Sequence, residues 1–320
     1  METAKQIINC FADRLIFRAG VWKPRTSPNT FQGAGDEALK WLQEVKATYG
    51  MPVATEVATP EHVAKALEAG IDYLWIGART SANPLAVQAI ADGLQVTGYG
   101  LQGIFIKNPV NADAKLWLGN IERLEKTGLP VMAVHRGCGH QPCWKMAHEV
   151  RLARPDIPML LDPSHMSGDA SKVPALMEKI EELGLDGAMI EVHCDPEHAL
   201  SDNAQQITPL QLADTLYSIA SRLRLVSVFS TTDSQEELNW LRAEIDELDE
   251  RLWDTIAARM DVSKRIGAWK KAHGVAPLQP ERVKVIGERL KVIGERLHLS
   301  GAFMQQIWEQ IHKESLKQQE

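Results

Sequence analysis

The chain has 320 residues, enough for one large domain and a small one; its 44% hydrophobic and 24% charged residues are ordinary for a soluble globular protein, and no apolar run approaches the roughly 18 residues that a membrane-spanning helix would need. The net charge of -7 argues against nucleic acid as a partner, and the four scattered cysteines (Cys10, Cys138, Cys143, Cys194) make no disulfide framework. The opening METAKQII lacks the basic start and apolar core of a signal peptide, so a cytoplasmic location is expected.

Ala4, Ile7, Ile8 and Phe11 fall at helical spacing and predict a helix over about Met1 to Ala12. A short strand follows and runs up to Gly20. Arg18, Lys23 and Arg25 then bring three cations to a turn fixed by Pro24 and Pro28, a local positive cluster on an acidic chain that suits a small phosphorylated substrate. A solvated basic loop is the plainer reading of that stretch alone.

Six further β-rich runs follow: Pro52 to Val57, Tyr73 to Ala78, Gly103 to Ile106, Val131 to Val134, Pro158 to Leu161 and Gly187 to Ile190. They alternate with helical patterns at Asp36 to Thr48, Pro60 to Ala69, Asn83 to Leu94, Ala112 to Thr127 and Ser171 to Leu183, which predicts an α/β fold with a parallel sheet. A polar group stands at the end of every strand: Arg18, Glu56, Arg79, Lys107, His135 with Arg136, Asp162 with His165, and Glu191 with His193. In a (β/α) barrel those ends converge on one catalytic face. Seven strands are expected here where a closed barrel has eight, and since the chain opens on a helix, the absent one is the first.

The segment VSVFSTTDSQ, residues 226–235, loses its period and reads as a linker. From about Glu236 to His273 the chain predicts one long helix whose apolar seam (Leu238, Leu241, Ile245, Leu248, Leu252, then Val262, Ile266, Trp269) steps by threes and fours, as a partner-binding helix does. Arg259 interrupts that seam, Lys270 lies on nearly the same face, and Arg242 is rotated from them by about 100°, a placement that would serve a site across a homodimer. After Pro277 and Pro280 two more helices are predicted, from about Glu281 and from about Ala302; on the last, Ser315 and Gln319 share a face. The near-repeat VKVIGERLKVIGERLHLS reads as solvated charge over an apolar stripe.

GVWKPRTSP, IGART, IKNPVN, HRG, DPSHMSG, IEVH and LSDNAQQ, in this order, resemble the 3-deoxy-D-arabino-heptulosonate 7-phosphate (DAHP) synthases of the class fused to a chorismate mutase, over about Met1 to Leu223. The resemblance implies a TIM barrel, here without its first strand, that condenses phosphoenolpyruvate with erythrose 4-phosphate on a divalent metal (Mn, Fe, Co or Zn). It implies that Arg18, Lys23, Arg79, Lys107 and Arg136 hold phosphoenolpyruvate, that Arg25 and Thr26 grip the aldose phosphate, and that His165, Glu191 and Asp202 are metal ligands. Lys107 is expected to be catalytic, and Glu56 to be an ion-pair residue behind the site. Taken singly, His165 could cap the turn after Asp-Pro-Ser and Asp202 could cap a helix.

The family's Ala-Gly-Pro-Cys-Ser motif, whose cysteine is a fourth ligand, is not in this sequence, and Cys194 near the gap is a speculative replacement. The loop HRGCGHQPCWKMAHEV is shorter than the family's and gathers His135, Cys138, His140 and Cys143, a crowded spacing for zinc. The tail, from Glu236 to Glu320, resembles the all-helical chorismate mutases, with Arg242, Arg259, Lys270, Arg282, Ser315 and Gln319 at the positions that hold chorismate. The resemblance gives Lys270 and Gln319 the catalytic contact to the ether oxygen, while Val283 stands where related mutases often carry a glutamate. The expected domains are thus a synthase barrel (1–225), a linker (226–235) and a mutase (236–320), in a homodimer of the aromatic amino-acid pathway. The alternatives are an active mutase carrying a catalytically dead barrel as a binding or regulatory module, and a dimeric scaffold.

Overall fold

Alternation along each strand decides which layer its side chains enter, and that alternation builds the site. The computed structural model describes residues 1–10, 15–24, 29–97, 100–226, 233–276 and 278–319, which form two compact units, Met1–Glu244 and Ile245–Glu320. In the first, β1 (Phe17–Arg18), β2 (Val53–Val57), β3 (Tyr73–Ile76), β4 (Gly103–Lys107), β5 (Val131–His135), β6 (Met159–Leu161) and β7 (Gly187–Ala188) form one sheet in sequence order, every neighbouring pair parallel. The seven strands are those expected from the sequence, in an α/β sheet of TIM-barrel type.

Before β1 lies α1 (Glu2–Cys10); the strands are connected through α2 (Glu37–Tyr49), α3 (Pro60–Glu68), α4 (Ala78–Ser81), α5 (Pro84–Thr97), α6 (Ala114–Glu125), α7 (Trp144–Ala153), α8 (Pro163–Ser167) and α9 (Val173–Glu182), and α10 (Pro209–Val226) follows β7. Helices α7 and α10 were not anticipated. Local chemistry fixes several of the others: Pro60 enters the first turn of α3 behind Thr59, whose hydroxyl accepts from His62 N at 3.2 Å, and Asp113 accepts from Leu116 N to start α6. Gly50 stops α2 at φ 68°, a conformation open to glycine without strain.

Val53, Val57, Leu74, Ile76, Ile104, Ile106, Ala133 and Leu161 point outward into a core shared with Leu42, Ile90, Trp117, Ile121 and Val150 of the helices. Each large side chain buried there contributes about 1.5–3 kcal/mol. The opposite set, Ala54, Trp75, Phe105, Val134 and Met189, forms a separate cluster inside the sheet's curve. Two residues further along the same face stand Glu56, Gly77, Lys107 and Arg136, so the inner apolar layer is the floor of whatever those groups do.

The long helix α11 (Asp233–Ala272) runs through the division between the units. Its early turns belong to the first: Trp240 is buried, edge-on to Trp144 (6.0 Å, 71°) and parallel to His148 (5.4 Å), while Asn239 donates to the Glu182 carbonyl. Residues 227–232, most of the expected linker, lie outside the described residues. The second unit holds the rest of α11 with α12 (Pro280–Leu297) and α13 (Gly301–Lys317), whose first turn is capped by Ser300 through Phe303 N. At Gly267 the backbone of α11 meets the end of α13, and a Cβ there would lie 2.6 Å from Gln319 Cα. The repeat within α12 is used unequally: a Cβ on Gly287 would meet open space, whereas Gly294 is buried against Leu299 and Met304.

Candidate functional site

The strand ends of the first unit line a cleft of about 100 Å³ with Arg18, Lys23, Glu56, Trp75, Arg79, Lys107, Arg136, His165, Glu191 and Asp202. Every substrate- or metal-binding residue expected at the barrel site and described in the structure lines it, whereas His135 and His193, which share strand ends with Arg136 and Glu191, do not. Arg25 and Thr26 lie outside the described residues.

Three ion pairs organise the cleft. Lys107 Nζ lies 2.7 Å from Asp162 Oδ2, both groups almost wholly buried. Asp162 also accepts from the backbone N–H of His165 at 3.0 Å and faces His165 Nδ1 at 3.0 Å, so it caps α8 and orients the imidazole together. The turn is capped by Asp162, not by His165. Burial opposes the charge of Asp162, but His165 and Lys107 outweigh it and hold the carboxyl well below the usual carboxylate range.

The second pair joins Arg18 Nη2 to Glu191 Oε1 at 3.5 Å, with the guanidinium over the Trp75 ring at 5.3 Å. Gln205 donates to Glu191 Oε2 at 2.8 Å. Burial pushes Glu191 up, yet His165 and Arg18 leave it lowered overall. The third pair sets Lys23 Nζ 2.9 Å from Asp202 Oδ2 and 2.6 Å from Ser201 Oγ. Glu56 differs from both: burial raises its carboxyl against four surrounding cationic groups, and it presses so closely on Gly77 that a Cβ there would come within 2.0 Å of Oε1. Sequence reasoning placed it behind the site; it lines the cleft. Asp162, Gln205, Ser201 and Trp75 were missed as partners, although Asp162 shares the inward parity of Lys107.

His165 Nε2 and Glu191 Oε1 approach to 3.8 Å and present a nitrogen and an oxygen donor suited to a borderline divalent cation. Asp202 instead faces Lys23, so the expected three-donor set is met by two; among the described residues no three His, Cys, Asp or Glu side chains gather as a metal centre. The crowded loop after β5 makes none either. His135 is turned outward, buried between Trp117 and Trp144, and donates through Nε2 to the Pro142 carbonyl at 2.6 Å. Burial lowers its pKa to about 4. Of the His135 and Arg136 pair, only Arg136 reaches the cleft.

In the second unit Arg259 donates to the buried Ser315 hydroxyl, and Lys270 Nζ donates to Gln319 Oε1 at 3.2 Å. Four expected mutase residues thus meet between α11 and α13. Arg282 is exposed on α12, beside Gln279, Glu281 and Val285, and Arg242 is exposed on the part of α11 that belongs to the first unit.

Comparison with known proteins agrees with this division. The model of the DAHP synthetase I family matches residues 1–223, and that of chorismate mutase type II matches residues 241–320. A phospho-2-dehydro-3-deoxyheptonate aldolase of Thermotoga maritima is 30% identical over 203 residues, which are 60% of this chain and 56% of that one; the chain spans little more than half the length of that relative. A 2-dehydro-3-deoxyphosphooctonate aldolase of Desulfatibacillum aliphaticivorans is 28% identical over 67% of this chain and 82% of its own length. A 4-amino-4-deoxychorismate mutase of Streptomyces venezuelae is 36% identical over 77 residues, 24% of this chain and 75% of that one. Among solved structures, the Thermotoga maritima DAHP synthase superposes with a TM-score of 0.60 at 25% identity, over 70% of this chain and 65% of that one. No described helix is long and apolar enough to cross a membrane. On the match that spans its first 223 residues the chain belongs to the DAHP synthetase I family, and it carries a type II chorismate mutase domain at its C-terminal end.

Proposed function

We propose that the first unit condenses phosphoenolpyruvate with erythrose 4-phosphate, and that the second rearranges chorismate to prephenate. The observation that carries the reading is the meeting of Arg18, Lys23, Arg79, Lys107 and Arg136 in one cleft, five cations where a compact phosphorylated carboxylate needs them. Arginines would fork onto phosphate and carboxylate oxygens. Lys107, held by Asp162, would direct its N–H bonds at the reacting end of the enol substrate, and Glu56, whose carboxyl is raised by burial, is suited to keep or return a proton beside it. His165 and Glu191 are the residues that would hold a divalent cation (Mn, Fe, Co or Zn), which when bound would supply Lewis acidity toward the aldehyde.

The mutase step needs no proton transfer. Arg259 would clamp a carboxylate, and Lys270 with Gln319 would bond the ether oxygen as its charge grows. The exposed seam residues Ile245, Leu248, Leu252, Val262, Ile266 and Trp269 support a homodimer through α11, with Arg242 serving the partner's site. A cytoplasmic location rests on the biosynthetic chemistry.

Phosphate release from phosphoenolpyruvate and erythrose 4-phosphate, assayed with each of the four metals, tests the synthase, and no release with any of them rejects it. That result would favour the second reading, an active mutase with an inactive barrel, which the engagement of Asp202 by Lys23 supports. Loss of chorismate absorbance, abolished in Lys270→Ala, tests the mutase, with 4-amino-4-deoxychorismate, the compound in the name of the Streptomyces venezuelae relative, as the competing substrate.

A further inference from the structure

Residues 312, 315 and 319 of α13 and the turn after it are spaced by three and four, so they share a face. Ser315 and Gln319 receive Arg259 and Lys270 on that face. The third, His312, entered no expectation from the sequence. Its ring lies parallel to Trp308 one turn earlier, with centroids 4.8 Å apart and planes 10° apart, so the imidazole is held in one orientation. Its Nε2 is inaccessible to solvent and has no hydrogen-bond partner. Burial first, and then the charges of Arg259 and Lys270, lower its pKa, so the ring is neutral at pH 7 and offers one N–H donor.

A buried nitrogen without a partner is a standing cost that a plain packing residue would not carry, and an apolar side chain of similar size would avoid it. We propose that His312 is a further substrate-binding residue of the helical unit, its Nε2–H donating to an oxygen of the dianionic guest held by Arg259 and Lys270. The stack on Trp308 fixes the ring, and Arg259 and Lys270 lie near enough to act on its charge. A neutral donor adds directional selectivity for oxygen without adding charge. This inference rests on the mutase reading of the second unit.

The test uses the full-length chain and chorismate. His312→Leu removes the donor and the unsatisfied nitrogen together, so kcat/KM is expected to fall about tenfold while the unfolding midpoint stays the same or rises. His312→Gln, which keeps an N–H near the same place, is expected to recover most of the lost kcat/KM. A Leu variant within twofold of the wild type overturns the inference, and so does a Gln variant that falls as far as Leu with the midpoint lowered in both, which is the signature of packing. If the wild type consumes chorismate and only the variants behave in those ways, the fault lies with His312 alone. If the wild type consumes neither chorismate nor 4-amino-4-deoxychorismate, the mutase reading falls and takes the inference with it.

Discussion

The two units gather cations by different means. In the barrel, Arg18, Lys23 and Lys107 are each set against a carboxylate, and the tightest of these pairs is almost wholly buried. In the helical unit, Arg259 meets a hydroxyl and Lys270 an amide on a half-buried helix face. A charge taken into a sheet's interior must be compensated by charge, so the barrel's site residues are also structural ones. A charge on a helix face stays partly hydrated and can be held by a neutral group, so its removal leaves no buried countercharge behind. Folding and function should therefore separate in the second unit and coincide in the first.

The sharpest way to break that contrast is to delete one cation from each. Lys107→Met leaves Asp162 as a buried anion without its lysine, only His165 remaining beside it, and should cost about 3–5 kcal/mol in a urea melt. Lys270→Met should cost less than about 1 kcal/mol in the same melt, yet lower the mutase kcat by about 10²–10³. Equal melts for the two variants would end the comparison.

A second difference lies in pH. His135 is neutral in the folded barrel down to about pH 4 but titrates near 6.5 when unfolded. As pH falls from 6.5 toward 4 the unfolded chain binds a proton that the folded one does not, so up to about 3 kcal/mol of stability should drain away over that window. Urea melts of the wild type and of His135→Gln between pH 7 and 4 measure it, and the variant should show a flatter profile.

Smaller effects sharpen the picture in the helical unit. Gly267→Ala forces a methyl against the Gln319 backbone, for an overpacking cost of about 1–3 kcal/mol, and should depress mutase turnover by moving the amide that Lys270 bonds. Ser300→Ala removes the cap of α13 and should cost about 1 kcal/mol in thermal unfolding without changing turnover.

Much of the barrel is legible because strand parity leaves a mark in the sequence. Trp75, Phe105 and Val134 point inward, and two positions later the same parity sets Gly77, Lys107 and Arg136 at the cleft. That count also excludes His135 from the site, a distinction that a list of polar residues at strand ends does not draw. Asp162 is legible as a strand-end polar group beside His165, but the sequence does not name its partner: its bond to Lys107 joins residues fifty-five positions apart and needs the fold. Helix α7 was hidden in a loop rich in Cys and His, whose composition drew attention away from the buried Met146, Ala147 and Val150. In the tail, the seam of α11 was plain, but which side chains of α13 would face Arg259 depends on how the helices pack, and His312 became visible only there.

Two of the barrel's ion pairs reach from β1 and the turn after it to the segment after β7, that is, between the two strands that end the sheet. An anionic guest that draws Arg18 and Lys23 toward itself releases Glu191 and Asp202 at the same moment. Occupancy and the fastening of the sheet's margins therefore compete for the same side chains, and a dilute electrolyte, by strengthening the clasps, should slow the guest's entry even as it strengthens the guest's own attraction.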